Sequence, residues 1–109
     1  MEYLNKGSKL TTSNTTILTA GSDTKLLIKT IHTTNIDTTD TNVYISWTDS
    51  SESQSYSLAY NINLPQSSSF QALDGTFTLD NNDSISAYSD NGNSVDLTIS
   101  YIEISNTEG

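Results

Sequence analysis

The sequence predicts a small all-β protein, a single β-sandwich of about eight antiparallel strands. Three observations support this class. Apolar residues recur in short runs with the alternation of a half-buried strand, as in Val43, Ile45 and Trp47. Turn-forming Gly, Asn, Asp and Ser separate these runs at roughly 8–12-residue intervals. No stretch of the 109 residues has the period of an amphipathic helix. A jelly roll is one such arrangement, and a closed barrel is the alternative that periodicity leaves open.

One domain accounts for most of the chain, because 109 residues lie near the commonest domain size. We divide the sequence into an N-terminal arm, a β-sandwich domain and a short tail, which are residues 1–12, 13–105 and 106–109.

The N-terminal arm has neither the two-residue period of a strand nor the period of a helix. It is either a frayed terminus or a segment docked on a partner, since chain ends are ordered only where something holds them. In the docked arrangement we expect the arm to leave the sandwich. Tyr3 and Leu4 would then fill an apolar groove on a neighbouring subunit or capsid protein. Lys6 and Lys9 would face carboxylates there.

The first strand of the domain is predicted at residues 15–19, and a turn follows at Gly21. A longer strand, residues 25–36, is rich in β-branched side chains. Its apolar residues fall on both faces, which fits a central strand covered on both sides or an oligomer contact. The residues assigned to this interface, one of them on the next strand, are Leu27, Lys29, Ile31 and Tyr44.

A polar turn at residues 37–42 leads into the next strand, residues 42–48, so the two strands are interpreted as a hairpin whose apolar face needs a cover. Trp47 and the tyrosines could form a sugar-stacking platform, but the phase of Trp47 with its apolar neighbours favours the core. Tyr44 lies on the opposite face and is the better candidate for a surface contact.

The second half of the domain contains five further apolar runs. Residues 56–64 predict one long strand, or two strands with a bend, and Pro65 ends it. The residues that share one parity are Tyr56, Leu58, Tyr60, Ile62 and Leu64. Two short runs flank Asp74–Gly75, which predicts a tight hairpin. The remaining strands are predicted at residues 84–88, with Ile85 and Ala87 inward, and at residues 95–104. A phase slip at Ile102 indicates a bulge or a strand that passes from one partner to another.

Charge is distributed unevenly along the sequence. The net charge is −9, and the four lysines all lie within the first 29 residues. Because nothing after residue 30 can neutralise phosphate, nucleic acid and anionic membranes are excluded as expected partners. The sequence has no cysteine, which excludes a disulfide-stapled scaffold.

No group of residues has the composition of a catalytic site. A serine nucleophile could use only His32, and no serine lies in a nucleophile-elbow motif. The paired aspartates lie in turns, where Asp is expected, and do not match the spacing of an EF-hand. We therefore expect no enzyme activity, no catalytic residue, no metal site and no cofactor.

Taken together, several turn and core positions resemble those of small virion proteins encoded in the structural modules of tailed bacteriophages. They are Ile17 and Leu18 in a Thr-rich opening strand, Asn35 at a strand end, Leu64–Pro65, Asp74–Gly75, and the segment from Leu79 to Ile85. The resemblance covers residues 13–105.

The resemblance implies a β-sandwich structural protein of the virion, made in the host bacterial cytoplasm. Its expected role is capsid decoration, in which a cement protein stabilises the head through oligomeric contacts between capsomers. A neck or tail component and a carbohydrate-binding module of a tail fibre are the alternatives. The expected partners are the major capsid protein or other virion proteins, and further copies of the chain in a homo-oligomer, with a trimer as the first hypothesis.

Overall fold

The computed structural model describes residues 2–105, which form nine β-strands and no helix. The strands are β1 (Glu2–Lys9), β2 (Thr15–Thr19), β3 (Thr24–Asn35), β4 (Thr41–Asp49), β5 (Gln54–Leu64), β6 (Ser69–Gln71), β7 (Phe77–Leu79), β8 (Ser84–Ser89) and β9 (Val95–Ser105). Two antiparallel sheets pack face to face, so the predicted all-β sandwich is confirmed. The predicted tail, residues 106–109, lies outside the described residues.

The strand order is that of a jelly roll. The five-stranded sheet has the order β1-β9-β3-β6, with β7 also paired to β3, and the four-stranded sheet has the order β2-β8-β4-β5. Four antiparallel pairs are therefore nested along the chain: β1 with β9, β2 with β8, β3 with β6, and β4 with β5. This nesting is the wrapping of a jelly roll. Because the strands of residues 2–105 form two separate open sheets, the alternative of a closed barrel is wrong.

The two strands interpreted as a hairpin, β3 and β4, lie in opposite sheets, so that interpretation is wrong. The chain crosses from one sheet to the other after Asn35. The side-chain amide of this buried residue donates to the backbone oxygens of Thr39 and Leu64, both at 2.9 Å, and its Oδ1 accepts from the backbone of Asp37. These bonds hold the crossing segment against the end of β5, so residues 37–42 lead to the other sheet and do not close the predicted hairpin.

The hairpin predicted at Asp74–Gly75 is also wrong. Its two flanking segments, β6 and β7, do not pair with each other; they pair end to end with β3, at His32–Thr34 and at Leu26–Ile28. Gly75 does have a positive φ of 97°, as a turn residue should. β3 is 12 residues long, and its free edge accommodates both short strands. The turn therefore serves as a link along one edge.

β5 departs from its predicted parity. Its register against β4 shifts twice, between Val43 and Ile45 and between Ile45 and Ser46, and Asn61 has a φ of 53°. Each shift adds a residue on β5, as β-bulges do. As a result Ala59 is buried, whereas Tyr60 is 70% exposed. Of the residues predicted to share one face, Leu58, Ile62 and Leu64 do pack on the core, and only Tyr60 is turned out of that face by the bulges.

β9 has neither the bulge nor the change of partner predicted for its end. The register shift of its pair with β3 lies between Ile28 and Thr30, so the extra residue is on β3 and β9 keeps its alternation. Ile102 is buried but stands outside the core cluster, on the outer face of the five-stranded sheet.

The core lies between the sheets and is built mainly of Ile, Leu and Val. Its fully buried members include Ile28, Ile31 and Ile99 from the five-stranded sheet and Ile45 and Ile85 from the four-stranded sheet. The inward directions predicted for Val43, Ile45, Ile85 and Ala87 are confirmed. Trp47 packs against this core, with its ring 5.3 Å from that of Phe77 on the opposite sheet, as its phase predicted.

Candidate functional site

The residues predicted to form an arm belong to the sheet. All eight residues of β1 pair with β9, from Glu2 opposite Glu103 to Lys9 opposite Asp96, and the following residue, Leu10, is buried in the core. The expectation that this segment leaves the sandwich is therefore wrong. The two-residue period is missing because most side chains on both faces of this edge strand are exposed, so backbone hydrogen bonds hold the strand in place.

The four arm residues are differently placed along β1. Tyr3 is 77% exposed, Leu4 is half-buried, and Lys6 is exposed. Lys9 finds its carboxylate within the chain, because its Nζ lies 2.7 Å from Oδ1 of Asp96 on the neighbouring strand. The expectation that Lys9 faces a carboxylate of another subunit is therefore wrong, because its partner belongs to the same chain.

Tyr3 heads an apolar row on the outer face of the five-stranded sheet. It lies opposite Ile102 on β9, which lies opposite Leu27 on β3. Ile102 is 7% exposed although no second layer within residues 2–105 covers this face, so its neighbours in the sheet shield it. We call Tyr3, Ile102 and Leu27 the outer strip. It ends at the free edge of β1, where the backbone has no partner strand among residues 2–105.

The four residues assigned to an oligomer interface do not form one surface. Leu27 belongs to the outer strip, and Lys29 is exposed at the bulge of β3. Ile31 is fully buried in the core, so its assignment to an interface is wrong. Tyr44 lies on the outer face of the opposite sheet, the surface that the alternation of β4 predicted.

A polar cleft of about 500 Å³ lies at one end of the sandwich, between the turn after β4 and the turn after β7. Its carboxylates are already bonded. Asp83 is almost fully buried and accepts hydrogen bonds from Nε1 of Trp47 and the backbone amides of Ser50 and Asp80. Asp80 in turn accepts from Nζ of Lys25 at 3.1 Å, which holds the pKa of that carboxyl below its usual value. The carboxylates of the cleft therefore have a structural role, because they join the turn after β4 to the turn after β7.

A shallow groove of about 150 Å³ lies on the outer face of the four-stranded sheet. Three tyrosines from three strands line it. The rings of Tyr44 and Tyr88 stack with centroids 4.4 Å apart and planes 5° apart, and the edge of Tyr60 meets Tyr44 at 5.5 Å. We call this surface the tyrosine groove; its lining includes Asn14, Tyr44, Ser46, Ser57, Tyr60 and Tyr88.

Two rows of hydroxyl side chains run across the four strands beside the tyrosines. Strand register places Thr16, Ser86, Ser46 and Ser57 in the first row and Thr19, Ser84, Thr48 and Ser55 in the second. Because cross-strand partners share a face, all eight hydroxyl groups belong to the same surface. The large tyrosine side chains thus lie next to a flat polar surface of short hydroxyl side chains, the polar platform.

The hydroxyl of Tyr44 is held by an amide network. The Tyr44 hydroxyl donates to Oδ1 of Asn61 at 2.8 Å, and the same oxygen accepts from Nδ2 of Asn42 at 2.7 Å. Partial burial raises the pKa of Tyr44, and the negative charge of Asp90 raises it further. The bond to Asn61 fixes the Tyr44 hydroxyl as a donor.

Sequence reasoning counted all three tyrosines of the groove among the candidates for a sugar-stacking platform, but it assigned only Tyr44 to this surface. Tyr88 shares a parity with Ser84 and Ser86, opposite to Ile85 and Ala87, so alternation in β8 could have placed it on the surface. Tyr60 had no such signal, because its outward direction depends on the bulges of β5. Asn14 lies just before β2 and joins the groove only through the fold.

Comparisons with protein-family models, with curated proteins and with solved structures give no match to this chain. The resemblance to phage virion proteins thus rests on the pattern of turns and core positions alone. Among residues 2–105 there is no helix long and apolar enough to cross a membrane. The same residues contain no group of three or more His, Asp or Glu side chains arranged to hold a metal ion.

Proposed function

We propose that this protein is a non-catalytic structural component of a tailed-phage virion, and specifically a capsid decoration protein that stabilises the head. The observation that carries the proposal is the free edge of β1 beside the outer strip. There an unpaired strand and the exposed ring of Tyr3 lie together, and Lys6 is exposed on the same strand, on its other face.

An edge strand of this kind is suited to binding another chain. A strand at the edge of a sheet carries a row of backbone donors and acceptors that a partner strand can pair with. Main-chain hydrogen bonds of this type supply affinity, and neighbouring side chains supply specificity. Here Tyr3 and Leu4 would provide the side-chain contacts of the predicted docking segment, now as part of the sheet. Lys6 would face an acidic partner residue.

The fold supports the proposal by analogy. Jelly rolls are common in viral capsid and lectin domains, although a fold alone does not determine function. Decoration requires a rigid particle-facing surface and no chemistry. Many copies bound at repeated sites would then resist release of the packaged genome through avidity, with each contact being modest.

The proposed partners are the major capsid protein and further copies of this chain. A trimer is the first hypothesis, because capsid shells offer three-fold positions. Sedimentation of the purified protein at high micromolar concentration tests self-association. A trimer in solution supports the hypothesis. A strict monomer would overturn it and would leave assembly on the particle as the route to an oligomer.

The decisive experiment uses particles of the encoding phage from which this gene has been deleted. Purified wild-type protein should rebind to them and raise their resistance to heat. Tyr3→Asp should abolish rebinding, because it places a charge in the apolar contact. Tyr60→Asp, a matched change of an exposed tyrosine on the opposite sheet, should rebind normally.

Three outcomes would change the assignment. Equal rebinding of the Tyr3→Asp and wild-type proteins would exclude the β1 edge as the contact. Density at the neck or tail in cryo-EM maps of the virion would replace the cement role with that of a neck or tail component. Absence of the protein from purified particles would overturn the virion assignment altogether.

A further inference from the structure

The tyrosine groove is a built surface that the decoration role does not use. It lies on the four-stranded sheet, whereas the β1 edge and the outer strip belong to the five-stranded sheet. Its aromatic members are unevenly exposed: Tyr60 is largely open to solvent, and Tyr88 is half-buried. A solvent-exposed aromatic ring beside a polar platform is a common arrangement for binding an amphipathic ligand.

We propose that the tyrosine groove binds a neutral carbohydrate, with one sugar ring packed against Tyr60 or Tyr88 and its hydroxyl groups bonded to the serine row. A pyranose ring has an apolar face of C–H groups and a rim of hydroxyl groups. The tyrosine rings match the apolar face, and the side chains of Ser46 and Ser57 match the rim.

The hydrogen-bonding groups of the groove are adaptable. Hydroxyl side chains act both as donors and as acceptors, and an amide such as that of Asn14 offers one of each. Sugar hydroxyls have the same dual character, so each can find a partner without a charged residue. The Tyr44 hydroxyl already donates to Asn61, so Tyr44 contributes its ring as a fixed side of the groove.

The charge of the surface selects against anionic ligands. All four lysines lie on β1 and β3, and the strands of the four-stranded sheet contain no lysine or arginine. The carboxylate of Asp90 lies near enough to Tyr44 to act on it electrostatically. Phosphorylated and acidic sugars would meet this charge with no cation to offset it. Neutral hexose units would not.

The size of the groove sets the expected affinity. At about 150 Å³ it is smaller than the roughly 300–1,000 Å³ pockets that enclose drug-sized ligands. It therefore suits a single ring of a longer glycan lying across the sheet. We expect weak binding by one copy, strengthened by many copies on one particle.

The test is a titration of the full-length protein with short neutral gluco-, manno- and galacto-oligosaccharides at millimolar concentrations, followed by the amide chemical shifts in NMR spectra. At least one of these series should give saturable shifts at Ser46, Ser57 and Tyr60. Tyr60→Ala and Tyr88→Ala should each weaken that binding by roughly fivefold, as expected for loss of an aromatic contact.

Tyr3→Ala provides the matched control, because it removes an exposed tyrosine from the opposite sheet, and it should bind the sugar like the wild type. Proton spectra of each variant establish that it is folded. Absence of saturable shifts with all three oligosaccharide series would overturn the proposal. So would equal binding by the wild type and the Tyr60→Ala and Tyr88→Ala variants. Either result would leave the particle-binding test of Tyr3→Asp unaffected.

Discussion

The two outer faces of the sandwich carry different chemistry although Ser and Thr are abundant on both. The five-stranded sheet contains all four lysines and carries the outer strip, and the four-stranded sheet carries the tyrosine groove and two hydroxyl rows. This difference follows from the topology. The lysines occur early in the sequence, and the jelly roll places β1 and β3 in the same sheet. A gradient of charge along the chain thus becomes a difference between two surfaces.

The two long edge strands differ in the same way. β5 contains two bulges, which bend a strand and make it a poor template for pairing with another chain. β1 pairs with β9 without a register shift over its eight residues. Charged side chains on this strand, such as Lys6, disfavour unspecific pairing at its free edge. The comparison therefore supports the proposal of a protein contact at the five-stranded sheet and of a small ligand on the other face.

The largest expected effect tests the core that both faces share. Ile99→Ala should lower the free energy of unfolding by about 2–5 kcal/mol, because it leaves a cavity between the sheets. Its neighbour Thr98 points outward and is exposed, so Thr98→Ala should change stability by less than about 0.5 kcal/mol. Chemical denaturation measures both. Similar values for the two variants would contradict the register of β9.

The second prediction concerns β1. Deleting residues 2–9 should lower the free energy of unfolding by at least about 2 kcal/mol, because eight residues lose their ladder to β9. A frayed arm would give no change in melting temperature. Lys6→Ala, which keeps the backbone, is the control and should melt like the wild type. If the deletion also melts like the wild type, the segment is not a strand in solution.

On the four-stranded face, Tyr88→Ala should cost about 0.5–1.5 kcal/mol, since its ring stacks on Tyr44 within 4.4 Å. Tyr60→Ala should cost less, because Tyr60 meets Tyr44 only by an edge and is largely exposed. Thermal unfolding of the two variants gives the order. The reverse order would show that Tyr60 supports the fold and is not held ready for a ligand.

On the five-stranded face, the ion pair between Lys9 and Asp96 is exposed to solvent. Lys9→Ala should therefore change stability by only about 0–1 kcal/mol, and high salt should reduce the difference. Melting curves of the wild type and the variant at low and high ionic strength measure this. A large effect that salt leaves unchanged would indicate a role for the lysine other than this pair.

The smallest expected effect is a dependence on acid. The Ser94 hydroxyl donates to Oδ2 of Asp37 at 2.7 Å, and this bond lowers the pKa of Asp37 below its ordinary value of 3.8. A carboxyl with a depressed pKa contributes stability above its unfolded pKa and loses it as the pH falls through the folded value. The melting temperature should therefore drop below pH 3.8. Ser94→Ala should make that drop shallower, and an unchanged slope would contradict the assignment.

The sequence by itself determined the fold class and many of the buried positions. Alternation placed Val43 and Ile45 inward and Tyr44 outward, because the side chains of a strand point to opposite faces whatever its partners are. It gave the bounds of β2 and the positive φ of Gly75, which depend on local backbone preferences.

Only the tertiary structure decided which strands pair and how the surfaces are assembled. β3 and β4 follow each other in the chain yet lie in opposite sheets, and β1 has no alternation yet forms an edge strand. The physical reason is that pairing uses backbone groups, which every residue except proline carries alike, so side-chain pattern does not select the partner. Bulges add a further effect, since a single extra residue in β5 reverses the direction of Tyr60. The tyrosine groove collects residues from three strands and one loop, and it exists only once those strands are in register.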